Sequence, residues 1–128
     1  MSEKQKTLIV LVGPTAVGKT ELCIEIARKL DTEIISADSR QIFRELKIGT
    51  AAPTPDQLRK VKHHFIGIRS VFEYYTAGMF EMEALEVMRE IFTRRDQVLM
   101  TGGSGLYINA LCHGIDALPK VDPGVREN

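Results

Sequence analysis

The chain has 128 residues, 44% of them hydrophobic, with 17 lysines and arginines balanced by 17 aspartates and glutamates, which suffices for one globular core, though a small one for a nucleotide-binding sheet. Balanced charge lacks the basic surplus that usually marks a nucleic-acid surface, and no apolar run approaches the roughly 20 residues of a membrane span. Residues 1–6 lead into a strand rather than a signal-peptide core, so the expectation is a cytoplasmic monomer with no membrane partner.

In chain order, the apolar residues 8–12 feed directly into Gly13-Pro14-Thr15-Ala16-Val17-Gly18-Lys19-Thr20, which fits the phosphate-loop pattern G-x-x-x-x-G-K-[ST] at every position. Glycines let the backbone curl until successive N–H groups point at anionic oxygens, and the following helix adds its unpaired N-terminal donors and positive dipole end. Lys19 supplies a point charge, and the Thr20 hydroxyl is suited to ligate Mg²⁺. A bound diphosphate or triphosphate with Mg²⁺ is therefore predicted. The loop fixes a class of ligand, not a reaction.

Next, Leu22, Cys23, Ile26, Ala27 and Leu30 recur at helical spacing against Glu21, Glu25, Arg28 and Lys29, the pattern of an amphipathic helix on a sheet. Residues 33–37 read as a second short strand ending in Asp38-Ser39-Arg40-Gln41. Thr54, Pro55 and Gln57 make a helix start, with the helix running to about Lys62. Between Thr76 and Arg94, Ala84, Leu85, Met88, Ile91 and Phe92 oppose Glu83, Glu86 and Glu90, which predicts a long amphipathic helix. Residues 98–100 read as a buried strand entering Thr101-Gly102-Gly103-Ser104-Gly105, followed by a helix from Leu106 to about His113 with Gly114 as its C-cap. Residues 115–128 lack a period, carry two prolines and read as a linker, leaving a core over 1–114 with three parallel strands. The basic clusters at 59–64 and at Arg94-Arg95 read as solvated helix ends. Cys23 and Cys112 read as buried free thiols. Together these elements predict an α/β fold, a P-loop NTPase-like three-layer sandwich with a mainly parallel sheet.

Ligands of open α/β sheets bind at the carboxyl ends of the strands, where this reading puts Asp38, Thr101 and Ser104 beside Lys19 and Thr20. Asp38 has three readings. It can hold Mg²⁺ as a Walker B acid, act as general base for a nucleophile, or cap the turn 39–43. Gly102 and Gly103 would make room for a second substrate. His63 and His64 lack companions for a metal site and read as structural.

The ordered set formed by the phosphate loop, Asp38-Ser39-Arg40-Gln41-Ile42-Phe43, Ile48-Gly49-Thr50-Ala51, His63-His64 and Gly102-Gly103-Ser104-Gly105-Leu106-Tyr107 resembles the bacterial tRNA dimethylallyltransferase (tRNA isopentenyltransferase) family. The resemblance implies prenyl transfer from dimethylallyl diphosphate to the exocyclic amine of the adenosine next to the anticodon of tRNA. Residues 13–20 would then hold the prenyl diphosphate, with Asp38, Lys19 and Thr20 at the reacting centre and Thr20 toward Mg²⁺. Asp38 would take the amine proton, Ser39, Arg40 and Gln41 would hold the flipped-out adenine, and Ser104 and Arg126 would touch the RNA. The family's helical RNA-gripping insertion would lie past residue 128. Phe43, Ala52, Gly67 and Ser104 depart from the family's usual tyrosine, lysine, aspartate and threonine. The residues alone leave two other readings, a small-molecule kinase using ATP in the loop and a non-enzymatic nucleotide-binding module.

Overall fold

The computed structural model describes residues 6–12, 19–46, 53–102, 105–115 and 121–127. Its elements are β1 (Lys6–Val12), α1 (Lys19–Leu30), β2 (Ile34–Ser36), a 3-10 turn (Arg44–Leu46), α2 (Pro55–Lys60), β3 (His63–His64), α3 (Ala77–Phe92), β4 (Gln97–Thr101), α4 (Gly105–Ile115) and β5 (Val121–Glu127). The strands form one sheet in the order β3-β2-β4-β1-β5, with every pairing parallel.

A parallel sheet with helices on both faces needs strands that are apolar on both sides, and the side chains divide accordingly. Leu8, Val10, Ile35, Val98 and Met100 face one core with Phe80, Ala84, Met88 and Ile91 of α3 and Tyr107 and Leu111 of α4. Their neighbours in sequence, Ile9, Leu11, Ile34 and Leu99, face the other core with Cys23, Ile24 and Ala27 of α1. The molecule is thus the expected α/β sandwich of three layers.

Helix boundaries follow their caps. Thr54 accepts from the Gln57 N–H at 3.2 Å while its own N–H donates to Gln57 Oε1 at 2.9 Å, a complete capping box with Pro55 in the first turn. Thr76 accepts from the Met79 N–H at 3.2 Å and starts α3. Cys23 is buried as expected and Cys112 only half-buried, and neither forms a disulfide among the described residues.

Three expectations need correction. Among the described residues the sheet has five strands, not three, because His63–His64 pairs with β2 and Val121–Glu127 pairs with β1. The stretch 115–128 is therefore not simply a linker. Among the described residues β5 pairs on one side only, with β1, which is where a strand tolerates a proline such as Pro123. Gly114 is not a cap but lies inside α4. A Cβ there would stand 2.6 Å from Glu81 Oε1 and 2.9 Å from Leu85 Cδ1, so the missing side chain lets α4 close on α3. Arg94 and Arg95 are not merely solvated. Arg94 pairs with the buried Glu33, and Arg95 pairs with Asp31 at 2.7 Å, which ties the end of α3 to the α1–β2 turn.

Candidate active site at the carboxyl edge of the sheet

The strand order creates the crevice. β1 connects through α1 to β2 on one face, and β4 connects through α4 toward β5 on the other, so the chain leaves neighbouring strands in opposite directions. Such a switch point opens a cleft at the strand carboxyl ends. The register aligns Leu11 with Thr101 and Thr101 with Ser36 in one row across β1, β4 and β2. Asp38 lies two residues beyond that row at the end of β2, and β1 ends at Val12, one residue beyond it, on the other side of β4.

The loop residues Gly13, Pro14, Thr15, Ala16, Val17 and Gly18 lie outside the described residues, as does Ser104. Lys19 and Thr20 open α1, with the Thr20 side chain half-buried. For Lys19, and for Arg126 in β5, only the backbone is described. Glycine 103, expected to make room for a substrate, also lies outside.

Asp38 is half-buried, and its Oδ1 accepts from the Arg40 N–H at 2.8 Å and the Gln41 N–H at 3.2 Å. The capping role is real, and it fixes the plane of the carboxylate while leaving Oδ2 unengaged by these two amides. Gln41 is held three ways. Its N–H goes to Asp38, its carbonyl accepts from the Gly67 N–H at 2.9 Å, and its Oε1 accepts from Ser36 Oγ at 3.4 Å. Gly67 has a φ of 64°, a left-handed turn natural to glycine. Arg69 continues the stitching, its N–H donating to the Ile42 carbonyl at 3.1 Å and its carbonyl accepting from the Arg44 N–H at 2.9 Å. Glu83 secures that segment to α3 through Arg69 at 2.7 Å and the Tyr75 hydroxyl at 3.2 Å. The structure thus brings Asp38, Ser39, Arg40 and Gln41 together in one braced turn, with Arg40 exposed to solvent.

Behind this turn stands Tyr107 of α4, buried and stacked on Phe80 with ring centroids 4.7 Å apart. Burial, followed by the negative charge of Asp38, pushes its phenol above the ordinary range, so it stays a neutral donor. Sequence reasoning gave Tyr107 no role of its own. Its place three residues after Ser104, in the first turn of α4, was the available signal.

Gly102 departs from expectation. It does not open space for a substrate, because the backbone of Ala37 fills the place of its side chain. The histidine pair is structural, as expected. His63 Nδ1 lies 2.9 Å from the Val61 carbonyl, and His64 Nε2 lies 2.7 Å from Glu33 Oε1. They pair with Ile34 and Ile35 of β2. Burial holds the His63 pKa below its usual value. For Glu33, burial pushes the carboxyl up, but hydrogen bonds from Arg94 and His64 and their charges outweigh it and hold it low. Among the described residues no helix is long and apolar enough to cross a membrane.

A family model described as IPP transferase matches residues 41–128. The tRNA dimethylallyltransferase 1 of Porphyromonas gingivalis is 58% identical over 127 residues, covering 99% of this chain and 42% of that relative. The tRNA dimethylallyltransferase 1 of Bacteroides thetaiotaomicron is 53% identical over 121 residues, covering 94% of the chain and 39% of the relative. The chain therefore spans about two fifths of the length of these curated relatives. Among solved structures, the full-length tRNA isopentenylpyrophosphate transferase from Bacillus halodurans superposes with a TM-score of 0.79 at 39% identity, over 89% of this chain and 37% of that one. A eukaryotic dimethylallyltransferase acting on tRNA gives a TM-score of 0.76 at 30% identity, over 83% and 26% respectively.

Proposed function

Because the chain belongs to the IPP transferase family, we propose that it carries the donor site and the base of a tRNA dimethylallyltransferase, acting on dimethylallyl diphosphate and the adenosine beside the anticodon of tRNA. The observation that carries this reading is the 58% identity to a named tRNA dimethylallyltransferase along 99% of the chain. The sheet supports it physically, with an acid braced on one side of β4 and, on the other, the carboxyl end of β1, the strand that precedes the phosphate-loop sequence.

In this mechanism residues 13–20 hold the two phosphates, with main-chain N–H groups and the Lys19 charge opposing the negative charge that grows on the leaving group. The exocyclic nitrogen of the flipped-out adenine attacks the donor carbon bonded to the diphosphate oxygen. The new C–N bond forms as the C–O bond breaks, its electron pair leaves with the diphosphate, and the amine proton passes to Asp38. Oδ2 suits that task because the turn already occupies Oδ1. Ser39, Arg40 and Gln41 hold the base, and Ser104 and Arg126 contact the RNA.

Mg²⁺ fits the donor set in a limited way. No group of three or more His, Cys, Asp or Glu suited to a metal occurs among the described residues, so the protein's ligand would be the Thr20 hydroxyl, as befits an ion that keeps water and takes substrate phosphate oxygens. When bound, it would offset charge on the diphosphate. The reading places the protein in the cytoplasm with its tRNA.

The test is incubation of the full-length protein with unmodified tRNA, Mg²⁺ and either dimethylallyl diphosphate or ATP, followed by mass spectrometry of the nucleoside digest. A dimethylallyl-adenosine formed only with the prenyl donor is the expected result. An unmodified digest, or phosphoryl transfer from ATP, would overturn the reading.

A further inference from the structure

Resting on that reading, we propose that Gly102 is a positioning residue for Asp38. The Ala37 N–H donates to the Thr101 carbonyl at 2.7 Å, which pulls the end of β2 onto the end of β4. Ala37 is fully buried there. A Cβ on Gly102 would lie 2.9 Å from Ala37 N, 2.5 Å from its carbonyl carbon and closer still to its carbonyl oxygen. These atoms are backbone and cannot swing aside as a side chain would. That carbonyl group forms the peptide bond that carries Asp38, so the bare face of Gly102 is the floor on which the base stands.

The turn beyond has little freedom to absorb a push. Asp38 is tied forward to the Arg40 and Gln41 amides, and the Gln41 carbonyl is tied to Gly67. A methyl group at position 102 must therefore raise the Ala37–Asp38 peptide by about 1 Å to regain ordinary contact, and misplacement of that size costs on the order of 10²-fold in rate. The three atoms nearest that Cβ all belong to Ala37, at the end of β2 rather than of β1, so the push falls on the base and donor affinity should be spared.

The experiment compares Gly102→Ala with Gly114→Ala in the full-length protein. Gly114 is also a crowded glycine, but it faces side chains of α3 at the far end of α4. At matched folded fraction, Gly102→Ala should lower kcat about 10²-fold with the KM for dimethylallyl diphosphate held within about twofold. Gly114→Ala should lose thermal stability and keep its kcat. Hydrogen exchange gives a readout independent of the reaction, because the Arg40 and Gln41 amides should exchange faster in Gly102→Ala alone. Unchanged kcat in a folded Gly102→Ala, a loss no greater than that of Gly114→Ala, or unchanged exchange at Arg40 and Gln41 would overturn the positioning role. If Gly102→Ala does not fold, the Ala37 amide of the unaltered protein decides. Exchange as slow as that of β4 supports the clamp, and exchange as fast as an exposed turn overturns it. Failure of the unaltered protein to prenylate tRNA would sink the proposed function instead, while the exchange data would still decide where Gly102 holds Asp38.

Discussion

Replacing Asp38 by asparagine separates the two tasks of this side chain. The asparagine carbonyl still accepts from the Arg40 and Gln41 amides, at 2.8 and 3.2 Å in the native turn, so stability should stay within about 0.5 kcal/mol of the parent, asparagine and aspartate being near-equal caps. Alanine removes the acceptor and should cost about 0.5–2 kcal/mol. Turnover behaves otherwise, because neither variant can take the amine proton. Loss of a general base is worth about 10²–10⁴-fold, or about 2.7–5.5 kcal/mol of barrier. The assay combines initial rates across a range of prenyl diphosphate concentrations with thermal melts by circular dichroism. The expected pattern is two slow enzymes, only one of them destabilised. Full turnover in Asp38→Asn would refute the base. An equal fall in donor affinity would point to metal ligation, and equal destabilisation by both substitutions would show that the two amide bonds do not brace the turn.

Three further expectations rest on other parts of the molecule. Glu33→Gln removes the buried charge shared by Arg94 and His64 and should cost about 1–3 kcal/mol at neutral pH, read from urea midpoints. Because the folded Glu33 pKa lies below the unfolded value of 4.5, its contribution is fully present above that pH and disappears as pH falls through the lower folded value. The Gln variant should therefore lose less stability on acidification than the parent, and parallel curves would remove Glu33 from the account. Phe80, fully buried against Phe65 and Tyr107, should cost about 3–5 kcal/mol on truncation to alanine, and a loss under about 1 kcal/mol would contradict the packing. Lys19→Ala should weaken calorimetric binding of dimethylallyl diphosphate, and unaltered affinity would end the phosphate-loop assignment.

What the sequence disclosed depended on the length and regularity of each signal. α3 was legible because sixteen residues carry a clear apolar stripe behind the Thr76 cap, and α2 because Thr54, Pro55 and Gln57 form a local capping set. β3 is two residues long, too short for any period to register. β5 contains proline and glycine, which argue against strand except at an edge, and only the tertiary pairing with β1 decides in its favour. For the site, the phosphate loop and Asp38 were readable as local motifs. The clamp of Gly102 on Ala37 and the bracing of Gln41 by Gly67 were not, because each joins residues 26 or more positions apart. The composition of the Arg94-Arg95 pair suggested solvent, whereas their partners come from the distant turn at Asp31 and Glu33.

The position of β1 also sets a timetable. The strand that precedes the phosphate-loop sequence is synthesised well before its neighbours on both sides, β4 and β5. At about 5–20 residues per second, a ribosome takes roughly 4–17 s after β1 to reach β4. During that interval the apolar segment around Leu8, Val10 and Leu11, which ends in the core, has no strand to pair with. The nascent chain thus makes this apolar strand before either of its partners, so a lag between its synthesis and its pairing is built into the order of the strands.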